Sequence, residues 1–263
     1  GNITLATANG GSMGTSGPVS VTSGAAQNGA AGNITIKVGE SGSGIAGLFL
    51  LGSDAKVTEG GPVHMKAGTA LGIDAKGGFV QIEGGESSSA AGGDVIVTSG
   101  SAKTLNSGDL TLESAASGSY GVSGDVRLQT GSSTRGDSGK VFIETGGAVG
   151  GQGGDITLQV GAGDDATGGN VVLNGGDTSE IRGVGGEVQL SGGYSYMGGN
   201  VVINGGIGSG ASGGDLLLMS GRGTLSSSGN IVISSSNAGD SGVSGTVTIG
   251  TGTSSCGDTG EIM

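Results

Sequence analysis

Residues 123–147 read SGDVRLQTGSSTRGDSGKVFIETGG. Within this line, SGDVRLQTG returns fifteen residues later as SGKVFIETG. The shared phrase is glycine, a polar residue, an aliphatic residue, any residue, and a second aliphatic residue. Two apolar residues two positions apart share one face of an extended segment; a helix would turn them to different sides. The residues used are mostly Val, Ile and Leu, types that suit short strands.

The phrase recurs along the whole chain. Marked by its first apolar residue, it stands at Ile3, Val19, Ile34, Phe49, Val63, Val80, Val95, Leu110 and Val126. It continues at Val141, Ile156, Val171, Val188, Val201, Leu216, Ile231, Val247 and Ile262. Those are eighteen copies, 13 to 17 residues apart, and every copy but the last has its second apolar residue two positions on. All 35 slots are apolar in a chain that is 33% hydrophobic, so the pattern is built in. The residues between copies are Gly, Ser, Thr, Ala, Asn and Asp, which form turns.

One short strand and one turn per fifteen residues predicts an all-β fold, a parallel β-solenoid of about 18 short strands. Right-handed winding is expected. The residue just after each aliphatic pair carries a slower period. Every third copy gives Lys37, Glu83, Gln129, Asn174 and Met219; the next set gives Thr22, Lys66, Glu113, Gln159 and Asn204. Pro18 and Pro62 also fall three copies apart. Three strands per triangular rung of about 46 residues follows, giving six rungs and a height of roughly 29 Å at the usual strand spacing. The alternative is one thin rung per fifteen residues, a rod of roughly 86 Å. It would stack Asp94, Asp109 and Asp125, like charge on like. The longer rung instead sets Asp94 beside Lys140, then Glu187. Residues 1–263 are expected to be one continuous array without separate domains. It begins in a copy, GNITL, and ends in one, GEIM, so continuation head-to-tail is expected.

Composition excludes several functions. The 263 residues include 66 Gly, no Trp and a formal charge of −12, which argues against nucleic acid and anionic membrane surfaces. No apolar run approaches the roughly 18 residues of a membrane helix. One cysteine, Cys256, rules out an internal disulfide framework.

Few motifs carry chemistry. Arg135-Gly136-Asp137-Ser138 resembles a cell-attachment signal, but it lies between two copies like every other Gly/Ser turn. GGQGGDITL, residues 150–158, resembles the calcium-binding nonapeptide of secreted toxins at its glycines and at Asp155. Thr157 stands where that motif needs a large apolar residue, and the period is fifteen rather than nine. Asp155, Asp164 and Asp165 are candidate oxygen ligands for loosely held Ca2+, against the plainer reading of solvated acidic turns. No other cofactor is implied. Only Tyr194 and Tyr196 cluster as an aromatic platform, and His64 has no visible nucleophile, so an enzyme is not expected. Asn2-Ile3-Thr4 and Asn33-Ile34-Thr35 fit the N-glycosylation pattern, making Asn2 and Asn33 candidate sugar sites. Leu50, Ile96 and Phe142, 46 residues apart between the paired positions, are candidates for a lateral interface.

The phrases GGDVIVTSG, SGDLTLESA, GGDITLQVG and GGNVVLNGG resemble those of secreted Gly/Ser-rich repeat proteins of algal and other microbial surfaces. The resemblance covers essentially the whole chain and carries over no functional residue. It implies an extracellular fibrous or adhesive role. The expected function is therefore a structural subunit or segment of an extracellular filament, stacking head-to-tail through uncapped solenoid ends, its partner being itself. The alternatives are a surface adhesin, an ice- or carbohydrate-binding solenoid, and a polysaccharide-active β-helix enzyme.

Overall fold

The computed structural model describes residues 2–11, 14–27, 29–41, 46–55, 59–165 and 167–263. Among these residues there is no helix and no strand. The expectation of an all-β parallel β-solenoid is therefore corrected. Among the described residues neither six three-strand rungs nor thin fifteen-residue rungs form; these residues are irregular coil with eight loops closed by a backbone bond. The chain divides into two units, Gly1–Gln129 and Thr130–Met263.

In the first unit, four backbone bonds close the glycine-rich loops. The amides of Gly61, Gly78, Gly93 and Gly108 donate to the carbonyls of Ser53, Gly68, Gly85 and Gly100 at 2.8–3.0 Å. The second unit repeats the device. There Gly186, Gly199, Gly214 and Gly229 donate to Gly176, Gly193, Gly206 and Gly221 at 2.8–3.0 Å. Every donor stands two residues before an aliphatic pair, and every Gly acceptor five residues after the first member of the preceding one. The segment from donor to next acceptor, such as Gly93–Gly100, thus keeps a constant length, and all variation in spacing falls inside the loop. The 17-residue spacings hold the loops 68–78 and 176–186, each with a further turn inside it, Ala75 amide to Gly72 carbonyl and Gly183 amide to Glu180 carbonyl. The 13-residue spacing leaves the short loop 193–199.

This closure explains why no strand forms. A strand needs a ladder of bonds to a neighbour. Here, at eight loop bases, a single backbone bond joins successive segments, and no ladder continues from it among the described residues. The aliphatic pairs do not face inward: Val95 and Val97 are 51% and 61% exposed. No described side chain is buried. The accessible surface of 26548 Å² is roughly three quarters of that of an extended chain this size, whereas a folded one would expose about 10,000 Å². The composition accounts for this. Medium aliphatics, almost without aromatics, offer little apolar surface per residue, while each glycine loses the most backbone freedom on ordering.

The residues nearest to burial are small: Gly61, Ala67, Ala70, Ser99, Thr130, Gly175, Ser220 and Gly223. Five of them, Ala67, Ser99, Thr130, Gly175 and Ser220, stand four positions after the first aliphatic residue of a copy, where the chain crosses the next loop-base glycine. At Thr130 the methyl lies against Gly139. Where this position is glycine the crossing is tighter. A Cβ on Gly84 would run into the Gly93 carbonyl, and one on Gly205 into the Gly214 carbonyl. A Cβ on neighbouring Gly85 would meet nothing within 4 Å. Gly84→Ala is therefore expected to open the 85–93 loop, at a cost near that of one hydrogen bond, about 1 kcal/mol or a fivefold loss of the closed form. Gly85→Ala should leave it closed. The temperature coefficient of the Gly93 amide in NMR spectra checks both; equal behaviour of the two variants would contradict the closure.

The fourth copy is framed one residue earlier than Phe49/Leu51. Its closing bond reaches Ser53, five residues after Leu48. Leu48 is 53% exposed, like other first members, and Phe49 is 81% exposed, like the residues between pairs. The pair is thus Leu48/Leu50.

Candidate functional site

Arg135-Gly136-Asp137-Ser138 occupies an exposed loop. The Ser133 hydroxyl donates to the Arg135 carbonyl at 3.2 Å, and Gly136 has φ of 97°. That backbone angle requires glycine and turns the chain between the guanidinium and the carboxylate. No further group converges on either.

Asp155, Asp164 and Asp165 are exposed. Among the described residues, no three His, Cys, Asp or Glu side chains come together to hold a metal ion. At 177–183 the Thr178 hydroxyl oxygen accepts the Glu180 amide at 3.2 Å, which builds a turn rather than a ligand set. Arg127 pairs with Asp125 at 2.9 Å, two residues away on the same segment. Such a solvated pair adds little stability.

The loop 193–199 displays Tyr194, Tyr196 and Met197 to solvent on a base closed by the 2.9 Å bond from Gly199 to Gly193. Asn2 and Asn33 are exposed, as are Ile96 and Phe142, and Leu50 falls in the pair of the reframed fourth copy. No pocket forms among the described residues, and none of them builds a helix long and apolar enough to cross a membrane.

The feature the structure brings forward is distributed. In the frame set by the loops, seventeen of eighteen donor positions are glycine, with Ala46 the exception, and thirteen of the seventeen acceptor positions are glycine. Their spacing to the aliphatic pairs was open to inspection, but a glycine signals a turn without naming the residue it closes on. The chain is thus a glycine-rich repeat that presents aliphatic pairs at regular intervals, with eight of the intervening loops closed by a backbone bond. Comparison with protein-family models, curated proteins and solved structures finds no match.

Proposed function

We propose that the chain is a structural, non-catalytic segment of an extracellular material, and that it works by associating with further copies of itself. One observation carries this reading: aliphatic pairs recur on a fixed frame and stand about half exposed or more. Contiguous apolar surface left in water is characteristic of interaction sites. The loops between them, eight of them closed by a backbone bond, are spacers of mostly polar and small residues. The acidic, hydrated surface and the resemblance to secreted Gly/Ser-rich repeat proteins support a place outside the cell.

Sedimentation velocity and electron microscopy over a hundredfold range of concentration test the association. Concentration-dependent growth into elongated assemblies is the expected result; a monomer throughout would overturn the reading. For the location, expression through a eukaryotic secretory pathway is expected to add sugar at the exposed Asn33. Mass spectrometry should show one glycan fewer after Asn33→Gln. An unmodified Asn33 in secreted material would count against it.

A further inference from the structure

In two of the three sets of every third copy, the residue after the aliphatic pair follows an ordered series over four successive members. One series runs Lys37, Glu83, Gln129, Asn174; the other runs Lys66, Glu113, Gln159, Asn204. All eight side chains are exposed. Each step joins groups that complement one another: lysine to glutamate, glutamate to glutamine, glutamine to asparagine. Within one chain the extended coil leaves these positions unstacked, so the series has no internal use.

Two copies lying side by side in register would set every charge against itself. A parallel shift of three copies sets Lys37 beside Glu83 and Lys66 beside Glu113, and it also brings Lys140 beside Glu187. Its unfavourable contacts are Asp109 with Asp155, Asp215 with Glu261 and, one residue past the acceptor glycines, Glu40 with Glu86. Glu83 accepts the Gln81 amide within its own copy, and a carboxylate has a second oxygen for a lysine.

We propose that the partner of this chain is a second copy shifted by three repeats, with Lys37 and Lys66 of one copy against Glu83 and Glu113 of the next. This rests on the self-association proposed above. A shifted contact leaves both overhangs ready for further copies, so it builds an open polymer and not a closed dimer.

Charge exchange in the full chain tests it. Lys37→Glu with Lys66→Glu should weaken association on the order of tenfold, as should Glu83→Lys with Glu113→Lys. All four changes together should restore it. Carbodiimide coupling between isotopically distinct copies should join Lys37 to Glu83 and Lys66 to Glu113. Association indifferent to the exchanges, or no restoration in the fourfold variant, would overturn the shift and leave self-association standing. So would coupling of Lys66 to Asp155 and Lys37 to Glu187, the antiparallel pattern. A parent chain that never associates would overturn both.

Discussion

A calorimetric scan of the dilute chain is expected to show no unfolding endotherm. A globular protein absorbs about 0.7 kcal/mol per residue at its midpoint, which for 263 residues would be about 180 kcal/mol. That heat comes from dismantling a packed interior, and its heat-capacity step comes from wetting buried apolar groups. Here no described side chain is buried, and the accessible surface already nears that of an extended chain. Heating therefore has little to expose. The closing bonds of the glycine loops should melt one by one over a broad range, each independent of the next. Hydrogen exchange checks the same point. Segment amides such as those of Ile96 and Val97 should exchange at nearly the rate of a free peptide, and the donor amides of Gly93 and Gly214 only slightly slower. A single sharp endotherm near the globular value would show that the pairs are buried in solution, and would overturn the extended coil.

The period itself was legible in the residues. An aliphatic pair every fifteen positions, with glycine two before it, marks the segments, and the structure keeps that frame at seven of the eight closed loops, the one after the fourth copy being the exception. There GLFLLG offers two readings one residue apart, and only the closing bond to Ser53 chooses Leu48/Leu50. The step from period to fold failed for a physical reason. Alternation reports which residues could share a face, and it says nothing about whether a neighbour is there to bond. Val95 and Val97 do share a face, and that face remains in water. The glycines mislead in the same way. Gly84 and Gly93 read as turn residues of a winding ribbon, whereas they form a crossing at the base of a self-closed loop. Acids, tyrosines and the single histidine are scattered through the repeat, and among the described residues no three His, Cys, Asp or Glu side chains come together. What could not be read is that the chain's most enclosed places, Thr130 and Ser220 among them, lie at loop bases rather than on the aliphatic pairs.

Replacing two neighbouring pairs should all but abolish self-association. In Val80→Ser, Ile82→Ser, Val95→Ser and Val97→Ser combined, four side chains that are 51–63% exposed lose their apolar surface. Full burial of such a residue is worth about 1.5–3 kcal/mol, so covering the exposed half is worth about 1 kcal/mol. Four of them sum to about 4 kcal/mol, close to a thousandfold in the association constant. Among the described residues no side chain is buried, so these changes disrupt no core there; the circular dichroism spectrum of the dilute variant should match its parent, and lost association can be read as lost contact. The control distinguishes frame from bulk hydrophobicity. Val122 and Val149 are more exposed than any of the four, yet they lie in loops off the repeating frame. Val122→Ser with Val149→Ser should change association by less than tenfold. Sedimentation equilibrium of parent, fourfold variant and loop variant decides the matter. A fourfold variant that associates like its parent would remove the aliphatic pairs from the mechanism; a loop variant equally impaired would mean that any exposed apolar group serves, and that the fifteen-residue frame has no part in recognition.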